Sequence, residues 1–200
     1  MRYYLFATLC AFAAARPDGT SDLHLAAENA DAVRVAALLK AGADANAANR
    51  YGVTPLMRAA TGGDTRVVDL LLKAKADPNA ALPEGETVLM NAARAGNARV
   101  VRLLLASGAK PNVQEKWKGQ SALMWAAAEG HAEAIAMMVE FGADIKMRST
   151  AGFTPLLYAV REGKPEAVRA LLKAGANVNE TLPVNVRVRR GGRMACPKAW

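Results

Sequence analysis

Five glycines recur along this chain at an almost constant interval: Gly19, Gly52, Gly85, Gly119 and Gly152, separated by 33, 33, 34 and 33 residues. A fixed period of this length means one supersecondary unit copied in tandem. The residues after each glycine also repeat, as GTSDLHLAA, GVTPLMRAA, GETVLMNAA, GQSALMWAA and GFTPLLYAV. Further on, a second signature returns as LLKAGADAN, LLKAKADPN, LLASGAKPN, MVEFGADIK and LLKAGANVN. The one extra residue falls within 112–118, on the approach to the fourth copy.

Each unit reads as two short helices. Thr54-Pro55 and Thr154-Pro155 are helix starts, because a threonine hydroxyl caps free amides and proline suits the first helical position. Leu56, Ala59 and Ala60 then share a face, and a break comes at Gly62-Gly63, Gly96, Gly130 or Gly163. Val67, Val68, Leu71 and Leu72 give the second helix its 3.6-residue spacing. That helix is expected to end at Gly42, Gly108, Gly142 or Gly175, where a left-handed cap is easy. Lys75 takes this place in the second unit, at a steric cost. Helices this short do not hold alone in water, so neighbouring pairs must stack to bury their apolar sides.

These motifs resemble the G-x-T-P-L-H-x-A-A and L-L-x-x-G-A-D-x-N signatures of the ankyrin repeat family. The resemblance implies an all-α ankyrin-repeat solenoid of five stacked helix-turn-helix units joined by hairpin-like loops. The expected repeats are residues 16–48, 49–81, 82–115, 116–148 and 149–180. The motif histidine remains only as His24, with Met57, Met90, Met124 and Leu157 in the later copies. Apolar packing is expected to replace its hydrogen bonds there. His131, in the family's second-helix position, is read as structural.

The resemblance further implies a non-catalytic protein-binding scaffold whose partner sits on a concave face of loop tips and first helices. Those places hold Arg50, Tyr51, Val53 and Arg58 in the second repeat, and Glu84, Glu86, Asn91 and Arg94 in the third. The fourth offers Trp117, Lys118, Gln120, Trp125 and Glu129, and the fifth Phe153, Tyr158, Arg161 and Glu162. Aromatics are only 6% of the chain, yet they collect here beside arginines, the residue types that dominate interface energies. The partner-binding set expected from sequence is Arg50, Tyr51, Val53, Arg94, Trp117, Lys118, Gln120, Trp125, Phe153, Tyr158 and Arg161. Trp125 and Tyr158 have an alternative reading, as residues packed between repeats.

The net charge is +8, but Arg2 and five cations of the last twenty residues, Arg187, Arg189, Arg190, Arg193 and Lys198, account for six of it. The repeats are nearly neutral, which argues against nucleic acid as their partner. Residues 1–15 read MRYYLFATLCAFAAA, an apolar run ending in an A-x-A pattern, like a short secretory signal or, alternatively, an N-terminal helix that caps the first repeat. A secreted or periplasmic location is therefore expected if it is cleaved, and a cytoplasmic one otherwise, with no membrane span in the mature chain. Residues 181–200 show no helix periodicity, and Val184, Val186 and Val188 alternate with polar residues. Three readings stay open: a segment folded over the last helices, the start of a missing continuation of a longer ankyrin protein with its own function, or a basic arm for nucleic acid. Cys10 and Cys196 suit neither a disulfide framework nor a metal site. No catalytic motif is present, so no enzyme activity, cofactor or small-molecule substrate is expected.

Overall fold

A computed structural model describes residues 16–182. Residues 1–15 and 183–200 lie outside it, and with them the signal-like segment and most of the basic tail. The described residues form ten helices, one pair in each repeat. The first helices are α1 (Asp22–Glu28), α3 (Pro55–Gly62), α5 (Val88–Ala95), α7 (Ala122–Glu129) and α9 (Pro155–Arg161). The second helices are α2 (Ala32–Lys40), α4 (Thr65–Lys73), α6 (Ala98–Ala106), α8 (Ala132–Glu140) and α10 (Pro165–Lys173).

The helix starts obey the local chemistry of the sequence. Thr54, Thr87 and Thr154 each accept a bond from the amide three residues on, at 3.2–3.3 Å. Asp31, Asp64 and Asn97 do the same for α2, α4 and α6. Arg66 beside Asp64 also holds that carboxyl below its ordinary value. The left-handed stops lie at Gly42, Gly108, Gly142 and Gly175, and Lys75 adopts φ 68° in their place. Ala30 does likewise between α1 and α2, at φ 55°.

First helices pack on first helices and second on second along the stack, each pair closing on itself. The core is one continuous cluster. Leu56, Leu89 and Leu123 lie in its first-helix layer and Val67, Val100 and Ala134 in its second. Alanines at Ala27, Ala60, Ala93 and Ala127 let first helices approach closely. Met57, Met90 and Met124 are buried as expected, and Met90 Sδ also accepts from the Thr87 amide at 3.4 Å. His24 is fully buried. Its Nδ1 accepts from the Ser21 amide at 3.2 Å, and its Nε2–H reaches the Val53 carbonyl at 2.9 Å in the next repeat.

Polar rungs join successive repeats. Asn46, Asn79 and Asn112 each donate Nδ2 to a carbonyl of the following repeat, Lys75, Gly108 or Gly142, at 2.9–3.0 Å. Each also accepts an amide there, from Asp77, Lys110 or Asp144, at 2.7–2.9 Å. Lys146 stands in the fourth place, where the rung lapses. The hairpins are tied by a second row: Arg50 to the Asp18 carbonyl, Lys116 to Glu84 and Thr150 to Lys118, each through a backbone amide at 2.8–2.9 Å. Pro83 occupies the matching position of the third hairpin, and its nitrogen has no hydrogen to give.

Candidate partner-binding face

The hairpin tips are shaped by side-chain acceptors at their bases. Asn49 Oδ1 takes the amides of Tyr51 and Val53, both at 3.0 Å. In the fourth repeat the buried Glu115 does more. Its carboxylate accepts from the amides of Trp117 at 2.6 Å, Lys118 at 2.9 Å and Gln120 at 2.9 Å. This arrangement accommodates the extra residue and pushes Trp117 outward, 80% exposed. Ser149 holds the fifth tip through the Phe153 amide at 3.1 Å. At the first tip Asp18 accepts from the Thr20 amide and hydroxyl at 3.0 and 2.7 Å. Those bonds hold its carboxyl below the usual range, so their contribution fades as pH falls through that lowered value.

On this frame the expected residues form cation-on-ring pairs. The Arg50 guanidinium lies 4.8 Å from the Tyr51 ring centre and bonds its hydroxyl at 2.6 Å. Arg94 covers Trp125 at 5.1 Å, and Lys118 covers Trp117 at 4.7 Å. Arg161 lies over both Phe153 and Tyr158, at 5.0 and 4.8 Å. Placed over a ring face, each cation is attracted by the ring's quadrupole.

Arg94 stands at the centre of the face. It bonds Asn91 Oδ1 at 3.3 Å and lies 3.8 Å from Glu86. It borders three adjoining grooves. One, of about 350 Å³, also contains Trp117, Lys118, Gln120 and Trp125. A second, of about 210 Å³, runs past Trp125 to Glu129. The third, of about 260 Å³, opens between Val53 and Leu82.

The structure thus brings Arg94, Trp117, Lys118, Gln120 and Trp125 to one groove, with Val53 in the next. Arg50 and Tyr51 project at the second tip, and Phe153 and Arg161 form a separate cluster on the fifth repeat. Tyr158 fits the alternative reading, a packed residue rather than an accessible contact. It is 3% exposed, because Phe153 packs against its ring at 5.3 Å and Arg161 covers it. Its role is to support those two neighbours. Trp125 is half-buried against the core, and its Nε1 has no partner among the described residues. Sequence reasoning does not single out Glu115. Its signal is position: it stands where Asn49 and Ser149 stand, and both are side-chain acceptors.

Among the described residues no group of three or more His, Cys, Asp or Glu is placed to hold a metal ion, and no helix is long and apolar enough to cross a membrane. A family model described as ankyrin repeats matches the chain three times, over residues 5–81, 23–115 and 89–181. A stretch of 38 residues, 19% of the chain, is 47% identical to the palmitoyltransferase AKR1 of Saccharomyces cerevisiae. That stretch covers 5% of the yeast protein.

Proposed function

Because the chain belongs to the ankyrin repeat family, whose repeats are generally protein–protein interaction modules, we propose that it binds a protein partner through its hairpin tips and first helices, without catalysis. One observation carries this reading. Each repeat from the second to the fifth places a cation over an aromatic ring on that side: Arg50, Arg94, Lys118 and Arg161. Trp117 and Tyr51, 80% and 56% exposed, are costly to leave in water and are the residue types that anchor interfaces. The three grooves beside Arg94 would receive partner side chains between such anchors.

The test compares proteins captured from the source cell by the wild-type chain and by W117A/F153A, with helicity and unfolding midpoint checked in parallel. A specific partner should lose roughly 30-fold or more in affinity with the double variant. Undiminished capture by a folded double variant refutes this face. The setting we propose is outside the cytoplasm, on the signal-like character of residues 1–15. A mature protein that begins at Arg16 is the expected result of N-terminal sequencing, and one that keeps Met1 removes the proposal.

A further inference from the structure

The fifth repeat exposes a face that the other four keep covered. Eight residues after each repeat glycine stand Ala27, Ala60, Ala93 and Ala127, all 0–1% exposed, and then Val160, 58% exposed. Leu157 and Val168 are half-buried where Met124 and Ile135 of the fourth repeat are sealed. Leu172 is 38% exposed. A groove of about 420 Å³ runs here, lined by Ala159, Val160, Pro165 and Val168 with the stems of Lys164 and Arg169.

We propose that this face is the docking surface for residues 183–200 of the same chain, with Val184, Val186 and Val188 set against Val160 and Val168. The chain arrives at this edge in the register of the stack. Arg148 Nη1 donates to the carbonyls of Gly152 at 2.7 Å and Thr181 at 3.2 Å. One repeat earlier, Gln114 Nε2 spans the matching pair, Gly119 and Arg148. Val178 and Leu182, both exposed, lie where such a segment begins.

The occupant is argued from shape. The four covered junctions are spaced for alanine, and the two added methyls of Val160 overfill that spacing. A helix seated as in the other junctions therefore fits poorly, and an extended segment with alternate apolar residues fits better. Reach is ample: eighteen residues extend to roughly 60 Å, against about 13 Å for a nine-residue helix.

The test uses the full chain with Cys10 and Cys196 replaced by serine. Under mild oxidation V160C/V186C should form an intramolecular disulfide in the monomer, while T61C/V186C stays reduced. In a separate full-length variant, V184D/V186D/V188D, amide exchange in α9 and α10 should quicken at least tenfold, with α3 to α6 unchanged. Disulfide-linked dimers would overturn the proposal by showing that a second copy holds the face. Failure of the V160C/V186C pair to oxidise, equal oxidation of the two pairs, or unchanged exchange in the aspartate variant would overturn it as well.

Discussion

The junction between the third and fourth repeats and the one between the fourth and fifth join the same kind of helix pairs by different bonds. In the former, Asn112 makes two bonds across the boundary, Lys116 donates to the Glu84 carbonyl, and His131 Nε2–H reaches the Arg94 carbonyl at 3.0 Å. In the latter, Thr150 keeps the hairpin row through its amide and hydroxyl, both to Lys118 O. Away from the tips the bonds lapse among the described residues: Lys146 replaces the asparagine, and Lys164, in the histidine's position, makes no side-chain bond to the fourth repeat to match that of His131 to Arg94. A groove of about 510 Å³ opens there between α8 and α10, past Ala136 and Ala170. Two otherwise equivalent interfaces are thus held unequally: one at the tips and away from them, the other by bonds at the tips. Since stability in such a stack is largely nearest-neighbour, loosening should begin at α10, the second helix of the fifth repeat.

The sharpest way to break this comparison is to make matched substitutions at equivalent positions. A Cβ at Gly96 would lie 2.4 Å from His131 Nδ1, on a backbone already at φ 75°. G96A should cost about 3 kcal/mol in urea unfolding, from left-handed strain plus the displaced histidine bond. Gly163 has φ 64° but open space around it, so G163A should cost only about 1 kcal/mol. Next come V101A and V168A, the same deletion in a sealed and a half-open site. Thermal or urea unfolding should show a loss of about 2 kcal/mol for V101A and, in the V184D/V186D/V188D background that leaves the end face bare, of less than about 1 kcal/mol for V168A.

Smaller effects sharpen the contrast in the asparagine rungs. N112A removes two bonds and should destabilise by about 1.5 kcal/mol, whereas N179A, with no described repeat beyond it to grip, should change little, within about 0.3 kcal/mol. Equal losses would sink the rung argument. Smallest is a gain: K146N restores the missing residue opposite the Gly175 carbonyl and the Asn177 amide. Slower amide exchange in α10, worth about 0.5–1 kcal/mol, is the expected readout.

The repeat, its helix starts and its left-handed stops are legible because local chemistry decides them: threonine caps, proline at the first turn, Lys75 forced into a glycine's conformation. The rungs are only half legible. The recurring asparagine is plain in the sequence, but its bonds lie about thirty residues away, in the next unit. The candidate face reads as a set of positions, and Arg94, Trp117, Lys118, Gln120 and Trp125 do converge. For Tyr158 the sequence leaves two readings, contact or packed residue, and the choice rests on how Phe153 and Arg161 fold over it, which position along a helix does not encode.

Pro83 has one more consequence. Where the other hairpins lean on their neighbours through a shared amide, the Tyr51 carbonyl accepts nothing among the described residues, and only the proline ring rests against Gly52, its Cδ 3.3 Å from where a side chain there would start. The row of fingertips is therefore two rows, bonded through main chain within each but not between the second tip and the third. At that point the Tyr51 carbonyl keeps its lone pairs for water, while the equivalent oxygens of Asp18, Glu84 and Lys118 are taken by the next hairpin.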